Sequence, residues 1–326
     1  MSGRLVAIRT DRISQWMLVT GVIRSGTTIL GKVLSFPIEV DYLHEPFHGG
    51  YTLEDRRALL PRYVRPGDSS DTAEAYRSRV ASLYDYDIGA WTTYYDGDPW
   101  YRTAAKTLAG SRRPLYLRLA KMNPFHRAAV IKDPFGKMVA ELLYREFDTT
   151  PVIVVRHPVA LAASLRRLGW WPEVHEFAVQ PDLVEDYFDD ERDFLEKSWP
   201  NRMLESMAHW RATYKILLTQ AGRYENWHVV RHEDFCAQPV AVARKLYDAL
   251  DLPWSDRYAG KLRSLTGASN SAGARDGHVQ DFQRDTSSLF EMRRDSIPVE
   301  ERRQIFEVVG DVALDLYSRD SFALDG

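Results

Sequence analysis

Short apolar runs alternate with longer stretches of helical periodicity along much of the chain. Met17-Leu18-Val19, Ala128-Ala129-Val130-Ile131, Pro151-Val152-Ile153-Val154-Val155 and Trp227-His228-Val229-Val230 are short apolar runs that read as strands, those at 128–131 and 151–155 as buried ones, and Asp41 to Phe47 reads as a shorter strand running into a turn. Between them, Ile29–Leu34, Met138–Phe147, a segment opening at Pro158, Ser198–Thr219, Pro239–Leu250 and Pro298 to about Tyr317 carry apolar residues at helical spacing. Strands separated by helices predict an α/β fold with a parallel sheet. Two segments break the alternation, at about 50–125 and 170–197, and 264–288 reads as a long polar loop. The pattern predicts one domain over 1–326, with the two interruptions as insertions. The first, with Trp91, Tyr94, Tyr95, Trp100 and Tyr101, reads equally as a wall of an acceptor site or as a helical cap packed on the sheet.

The first apolar run breaks into Thr20-Gly21-Val22-Ile23-Arg24-Ser25-Gly26-Thr27-Thr28 and resumes as a helix. A glycine-bounded turn from strand to helix aims backbone N–H groups and the positive helix end at one point, where an anion, most readily a phosphate, binds. Gly21, Gly26 and Thr28 stand at the glycine and hydroxyl positions of a Walker A loop, but Thr27 occupies its lysine position. Arg24 is the cation nearest that gap in sequence. Glu45, held extended by Pro46, ends the following strand, where parallel sheets place ligand-facing residues.

Composition narrows the partners. The 326 residues are 44% hydrophobic and 27% charged with a net charge of −3, so there is no global electrostatic case for nucleic acid or an anionic membrane surface. The single cysteine, Cys236, excludes an intramolecular disulfide and a cysteine-rich metal site and fits a reducing, cytoplasmic setting. No apolar run approaches the roughly 18 residues of a membrane span, and no signal peptide is evident at the N-terminus. The acidic residues from Asp182 to Glu196 read first as a solvated face, and secondarily as a lid favouring a cationic acceptor. His209 and Trp210 read as packing residues.

Four features converge: the opening loop, Glu45, Lys132 within Lys132-Asp133-Pro134-Phe135, and the pair Arg156/Ser164 within Val152–Leu165. Together they resemble the sulfotransferases that use 3′-phosphoadenosine 5′-phosphosulfate. Arg24-Ser25-Gly26-Thr27-Thr28 is similar to that family's 5′-phosphosulfate loop. Arg156 at a strand end, with Ser164 eight residues on, is similar to its 3′-phosphate motif. Within the family the likeness is greatest to the tyrosylprotein and Golgi carbohydrate 6-O-sulfotransferase branches, by Arg24 in the loop, Glu45 21 residues after it, and the K-D-P-F segment. Val229–Phe235, with Pro239 beyond it, resembles a further family segment and reads as structural.

The resemblance implies a P-loop-like parallel sheet flanked by helices, and transfer of a sulfuryl group to an acceptor hydroxyl. It makes Glu45 the base, with Arg24 and Lys132 stabilising the transferring group. Arg24, Ser25, Gly26, Thr27, Thr28, Arg156 and Ser164 would hold the donor, and Arg284 in the late loop is a further nucleotide contact. The leaving group is already a phosphate, so no divalent metal is required. The acceptor is a small molecule or glycan: a carbohydrate or glycolipid hydroxyl first, a natural product or tyrosine otherwise. Two alternatives stay open, a P-loop kinase for a small hydroxyl compound and a non-catalytic nucleotide-binding protein.

Overall fold

The structure, a computed structural model, describes residues 10–49, 51–52, 59–266 and 289–325. The expected loop 264–288 falls largely, and Arg284 entirely, outside the described residues. The chain forms two compact units, one of residues 1–20 and 34–151, the other of residues 21–33 and 152–326.

The first unit is built on β1 (Gln15–Thr20), β2 (Val40–His44) and, after the two-residue pair β3 (Tyr51–Thr52) and β4 (Gly89–Ala90), β5 (Ala128–Lys132). β5 lies between β2 and β1, and all three are parallel. Every residue of β2 and β5 is buried, because helices cover both faces of a parallel sheet and leave no polar side to alternate with. The register sets Val19 and His44 opposite Lys132, so the C-terminal ends of the three strands share one edge.

The 50–125 segment is more helical than its sequence suggested, with helices at Asp71–Tyr84, Trp100–Ala109 and Arg112–Met122. The last is a packed cap: Pro114, Leu117 and Ala120 are buried, and Tyr116 sets its ring edge-on to Tyr42 of β2 at 4.8 Å. Trp100–Ala109 buries nothing, and Trp91, Tyr94, Tyr95, Trp100 and Tyr101 are all exposed. The cap reading therefore holds for two helices, Arg112–Met122 and Asp71–Tyr84, which buries Tyr76, Val80 and Leu83 and sets Tyr84 4.4 Å from the Trp16 ring of β1, and it fails for the aromatic cluster.

The second unit carries the helix Thr27–Leu34, β6 (Thr149–Val155, from Val152), the helix Pro158–Leu168, and β7 (His228–Arg231), which pairs parallel to β6. The five parallel strands and their flanking helices make the α/β architecture that the strand–helix alternation predicted. Asn201 caps the long helix Arg202–Ala221 by accepting from Leu204 N, and Trp210, Tyr214 and Leu217 on it are fully buried. Residues 170–197 hold three short helices, His175–Ala178, Pro181–Tyr187 and Arg192–Glu196. Among the described residues, no helix is long and apolar enough to cross a membrane.

Candidate active site

The loop after β1 is shaped by two close approaches. Gly21 has φ +145°, and a Cβ there would lie 2.3 Å from the Val154 carbonyl oxygen; Gly26 has φ +106°, and a Cβ there would meet His232 Nδ1 at 2.5 Å. Only glycine fits both the backbone conformation and the space. Between them Arg24 adopts φ +71°, a left-handed conformation that a non-glycine residue rarely takes outside turns and functional sites. The Ser25 amide closes a turn on Val22 O at 3.1 Å, and Leu30 N reaches Gly26 O to start the helix. The first amides of that helix have no partner within it. Ser25, Thr27 and Thr28 are buried, and the Arg24 guanidinium lies 5.8 Å from the Trp170 ring centroid.

Two side chains of the long helix fix this loop against β6. Tyr214 donates to Val154 O at 2.7 Å and accepts from Val22 N at 3.2 Å, while Trp210 Nε1 donates to Arg156 O at 2.9 Å. Trp210 is thus a packing residue, as expected, and also a positioning one. His209 turns elsewhere, its Nε2 2.6 Å from Glu176.

Arg156 follows the last residue of β6. It is 6% exposed and donates from one terminal nitrogen to Arg24 O at 2.9 Å, so the structure brings two of the expected site residues together. Among the described residues no carboxylate pairs with it and its Nε has no partner; burial pushes its pKa down, and the nearby charge of Glu233 opposes this. The carboxylates of the two neighbouring motifs, Asp133 and Asp234, are engaged elsewhere. Asp234 is taken by Arg231 at 2.8 Å, and Asp133 accepts from Phe47 N at 2.6 Å and Phe135 N at 2.8 Å. Ser164, in the second turn of Pro158–Leu168, is fully buried and its hydroxyl has no partner among the described residues. Arg156 and Ser164 do not bond to each other. A buried guanidinium with no carboxylate in direct contact among the described residues, and a buried hydroxyl without a partner there, are costly features that an anion would satisfy.

The first unit gathers the other expected residues. Glu45 continues the ladder past β2, its amide donating to Lys132 O at 2.8 Å, but it is not extended as the following Pro46 predicts: it turns with φ +57°, and in that left-handed conformation its side chain meets that of Lys132. Lys132 Nζ donates to Glu45 Oε1 at 2.5 Å, and Arg113 to Oε2 at 3.3 Å. Burial would raise the Glu45 carboxyl, but the charges of Lys132 and Arg113 and the Lys132 hydrogen bond outweigh it and hold the pKa at about 2. Burial beside Lys132 holds His44 neutral, with its pKa also at about 2. Lys132 is 1% exposed; burial lowers its pKa while Glu45 opposes the shift. Asp133, gripping the amides of Phe47 and Phe135, ties the turn after β2 to the K-D-P-F turn. Glu45, Lys132 and the exit of β1 into the loop therefore lie at one edge of the sheet.

Several residues of these clusters were not singled out from sequence. Arg113 had only its place in an Arg-Arg pair as a signal. Tyr214 stands one turn after Trp210 on the same helix face, a spacing that could have revealed their joint role. His232 and Glu233 lie in the segment read as structural. Glu233 accepts from His157 N at 3.0 Å and from the Tyr317 hydroxyl at 2.9 Å, which bears that out, but His232 also backs Gly26. The acidic stretch is mostly a solvated face: Asp189, Asp190, Asp193 and Glu196 are exposed, and Glu191 bonds Arg211 and Lys215 at 2.5 Å each.

A family model described as "Sulfotransferase family" matches residues 17–256. The chain belongs to the sulfotransferase family, and membership supports transfer of a sulfuryl group to an acceptor. Among solved structures it is similar to a sulfotransferase domain from the curacin biosynthetic pathway, at 16% identity and TM-score 0.47, covering 93% of this chain and 97% of that one. It is also similar to a sulfotransferase domain of the Synechococcus PCC 7002 olefin synthase, at 16% identity and TM-score 0.44 over 94% and 96% of the two chains. A sulfotransferase of Mycobacterium avium, STF9, follows at 13% identity and TM-score 0.41 over 87% and 77%. No curated protein matches the chain.

Proposed function

We propose that the chain transfers the sulfuryl group of 3′-phosphoadenosine 5′-phosphosulfate to an acceptor hydroxyl, with Glu45 as the base. The observation that carries the donor assignment is Arg156, a buried guanidinium with no carboxylate partner among the described residues, bonded to the backbone of the anion loop. A 3′-phosphate supplies a direct ion-pair partner, with the Ser164 hydroxyl as a second contact. ATP has no such group. The loop amides and Arg24 suit the 5′-phosphosulfate end, with Ser25, Gly26, Thr27 and Thr28 forming its cradle.

Lys132 must change partner for the chemistry to run. Tied to Lys132, Glu45 is held at about 2 and is a weak base. When the donor loads, a Lys132 that turns its charge to the sulfuryl oxygens releases Glu45, whose basicity rises before the acceptor hydroxyl gives up its proton. One residue thereby stabilises the transferring group and arms the base. The donor brings its own phosphate leaving group, so these side chains need only orient, neutralise and accept a proton. A carbohydrate or glycolipid hydroxyl is the first acceptor to test, in a cytoplasmic setting.

The test is a turnover assay with the donor and a panel of carbohydrate, glycolipid, phenol and natural-product hydroxyls, for the native chain and Glu45→Gln. Sulfated product from the native chain and none from the variant supports the assignment. Phosphorylated product with ATP and Mg²⁺ instead favours the kinase alternative.

A further inference from the structure

The helix Trp100–Ala109 is amphipathic in the reverse sense. Trp100, Ala104 and Leu108 follow one another at i, i+4 and i+8, with Tyr101 and Ala105 beside them, so five apolar residues share one face. Arg102 and Lys106 stand across from that stripe. A surface helix ordinarily turns such a stripe inward. Here all five are exposed: Trp100 is 82% exposed, Leu108 84%, and no residue of the helix is buried.

The charge along this helix and the one after it is one-sided, the nearest acids being Asp96 and Asp98 in the turn before it. Every charged residue from Pro99 to Arg127 is basic, in a chain whose net charge is −3. Arg102, Arg112, Arg118 and Arg127 are exposed. The basic character continues into the next helix, where Arg118 reaches the carbonyl of Ala109 at 3.5 Å, beside the end of Trp100–Ala109. The same stretch also exposes Leu119, Met122 and Phe125. Lys106 is engaged with Asp98, the last acid before the stretch, and lies 4.6 Å from the Tyr95 ring centroid, which ties the preceding turn to the helix.

We infer that Trp100–Ala109, with the basic residues flanking it, is a docking face for an anionic lipid bilayer. Tryptophan and tyrosine favour the headgroup boundary, leucine enters the acyl edge, and arginines beside them meet lipid phosphates. An acidic protein surface would satisfy the arginines but has less use for a solvent-facing stripe of Trp, Tyr and Leu. The net charge hides this face because the acidic residues lie elsewhere in the sequence. The inference is independent of the proposed reaction.

The test uses the full chain with vesicles of phosphatidylcholine alone and of phosphatidylcholine mixed with phosphatidylglycerol, read by co-sedimentation. Binding to the mixed vesicles, weak binding to neutral ones, and loss of binding at high salt are expected. Arg102→Glu and Arg118→Glu each remove an attraction and add a repulsion, so each should cut partitioning by at least about fivefold. Trp100→Ala/Leu108→Ala should cut it further while leaving the melting temperature unchanged, because neither side chain is packed. If the native chain ignores anionic vesicles, or binds them equally after these substitutions, the inference fails. It fails also if the native chain self-associates in sedimentation and Trp100→Ala/Leu108→Ala abolishes that without any effect on vesicles, which would make the face a contact between copies.

Discussion

Lys132 Nζ donates to Glu45 Oε1 at 2.5 Å from a position only 1% exposed, and the strand register makes that contact possible by setting His44, the residue before Glu45, opposite Lys132. The pair is structural before it is chemical. Replacing Lys132 with methionine leaves a mostly buried carboxylate with Arg113 as its nearest cation, and removing one partner of a buried pair costs roughly 3–5 kcal/mol. Because Glu45 keeps 17% of its side chain in contact with solvent, the lower end of that range is expected. Chemical denaturation of Lys132→Met checks this, and a change under about 1 kcal/mol would mean that the pair contributes little.

The same pair sets an acid limb. The folded-state pKa of Glu45, about 2, lies below the 4.5 of an unperturbed glutamate, so its stabilisation is fully present above about pH 4.5 and is lost as pH falls toward 2. Glu45→Gln should remove on the order of 3 kcal/mol of that pH dependence. Acid unfolding followed by circular dichroism at several pH values reads it.

In the pH–rate profile the pair separates two constants. kcat/KM reports free-enzyme groups and kcat those of the loaded enzyme. With Glu45 held at about 2 in the free chain, kcat/KM should show no acid limb from it above pH 5, whereas a Lys132 that leaves Glu45 upon loading should produce one in kcat. Identical acid limbs in both constants would remove the partner exchange from the mechanism.

Gly26 and His232 test the shape of the loop. Gly26→Ala meets His232 Nδ1 at 2.5 Å and also carries the strain of φ +106°, so it should lower both the melting temperature and nucleotide affinity. Adding His232→Ala relieves the contact but not the backbone strain, and should restore part of the loss. At Gly21 the obstacle is the Val154 backbone oxygen, so Gly21→Ala should resist rescue by any side-chain change.

Tyr214→Phe deletes the hydroxyl that bridges Val22 N and Val154 O. It leaves a buried amide without that partner, at a cost of about 1–3 kcal/mol. Because the bridge holds the loop rather than any ligand, nucleotide affinity should fall by the cost of reordering the loop, while saturating ligand should still raise the melting temperature of the variant toward that of the native chain. Thermal melts at increasing ligand concentration check this.

What the sequence made legible follows from which signals are local. Four of the five parallel strands were visible as apolar runs and β2 as a shorter strand running into a turn, and β6 ran only slightly beyond its expected start. The loop was visible because Gly21 and Gly26 mark backbone that no other residue adopts. Glu45 and Lys132 were each visible as strand-end residues, but their contact depends on β2 and β5 being neighbours, a long-range pairing that no local pattern carries. For the same reason Arg113, reaching Glu45 from a cap helix, was missed. The helices of 50–125 were hard to read because turn residues such as Pro66-Gly67-Asp68 and Asp96-Gly97-Asp98-Pro99 interrupt the segment, and Arg112–Met122 mixes Arg, Lys and Pro with its buried positions.

Arg156 carries the central claim, and calorimetric titration tests it most directly. The native chain should bind 3′-phosphoadenosine 5′-phosphate far more tightly than adenosine 5′-phosphate or ATP with Mg²⁺. Arg156→Met should lose roughly 2–5 kcal/mol of that affinity. The ligand-free variant should melt no lower than the native chain, since it sheds a buried charge with no carboxylate partner among the described residues. Equal affinity for nucleotides with and without the 3′-phosphate, or unchanged binding in Arg156→Met, would contradict the account.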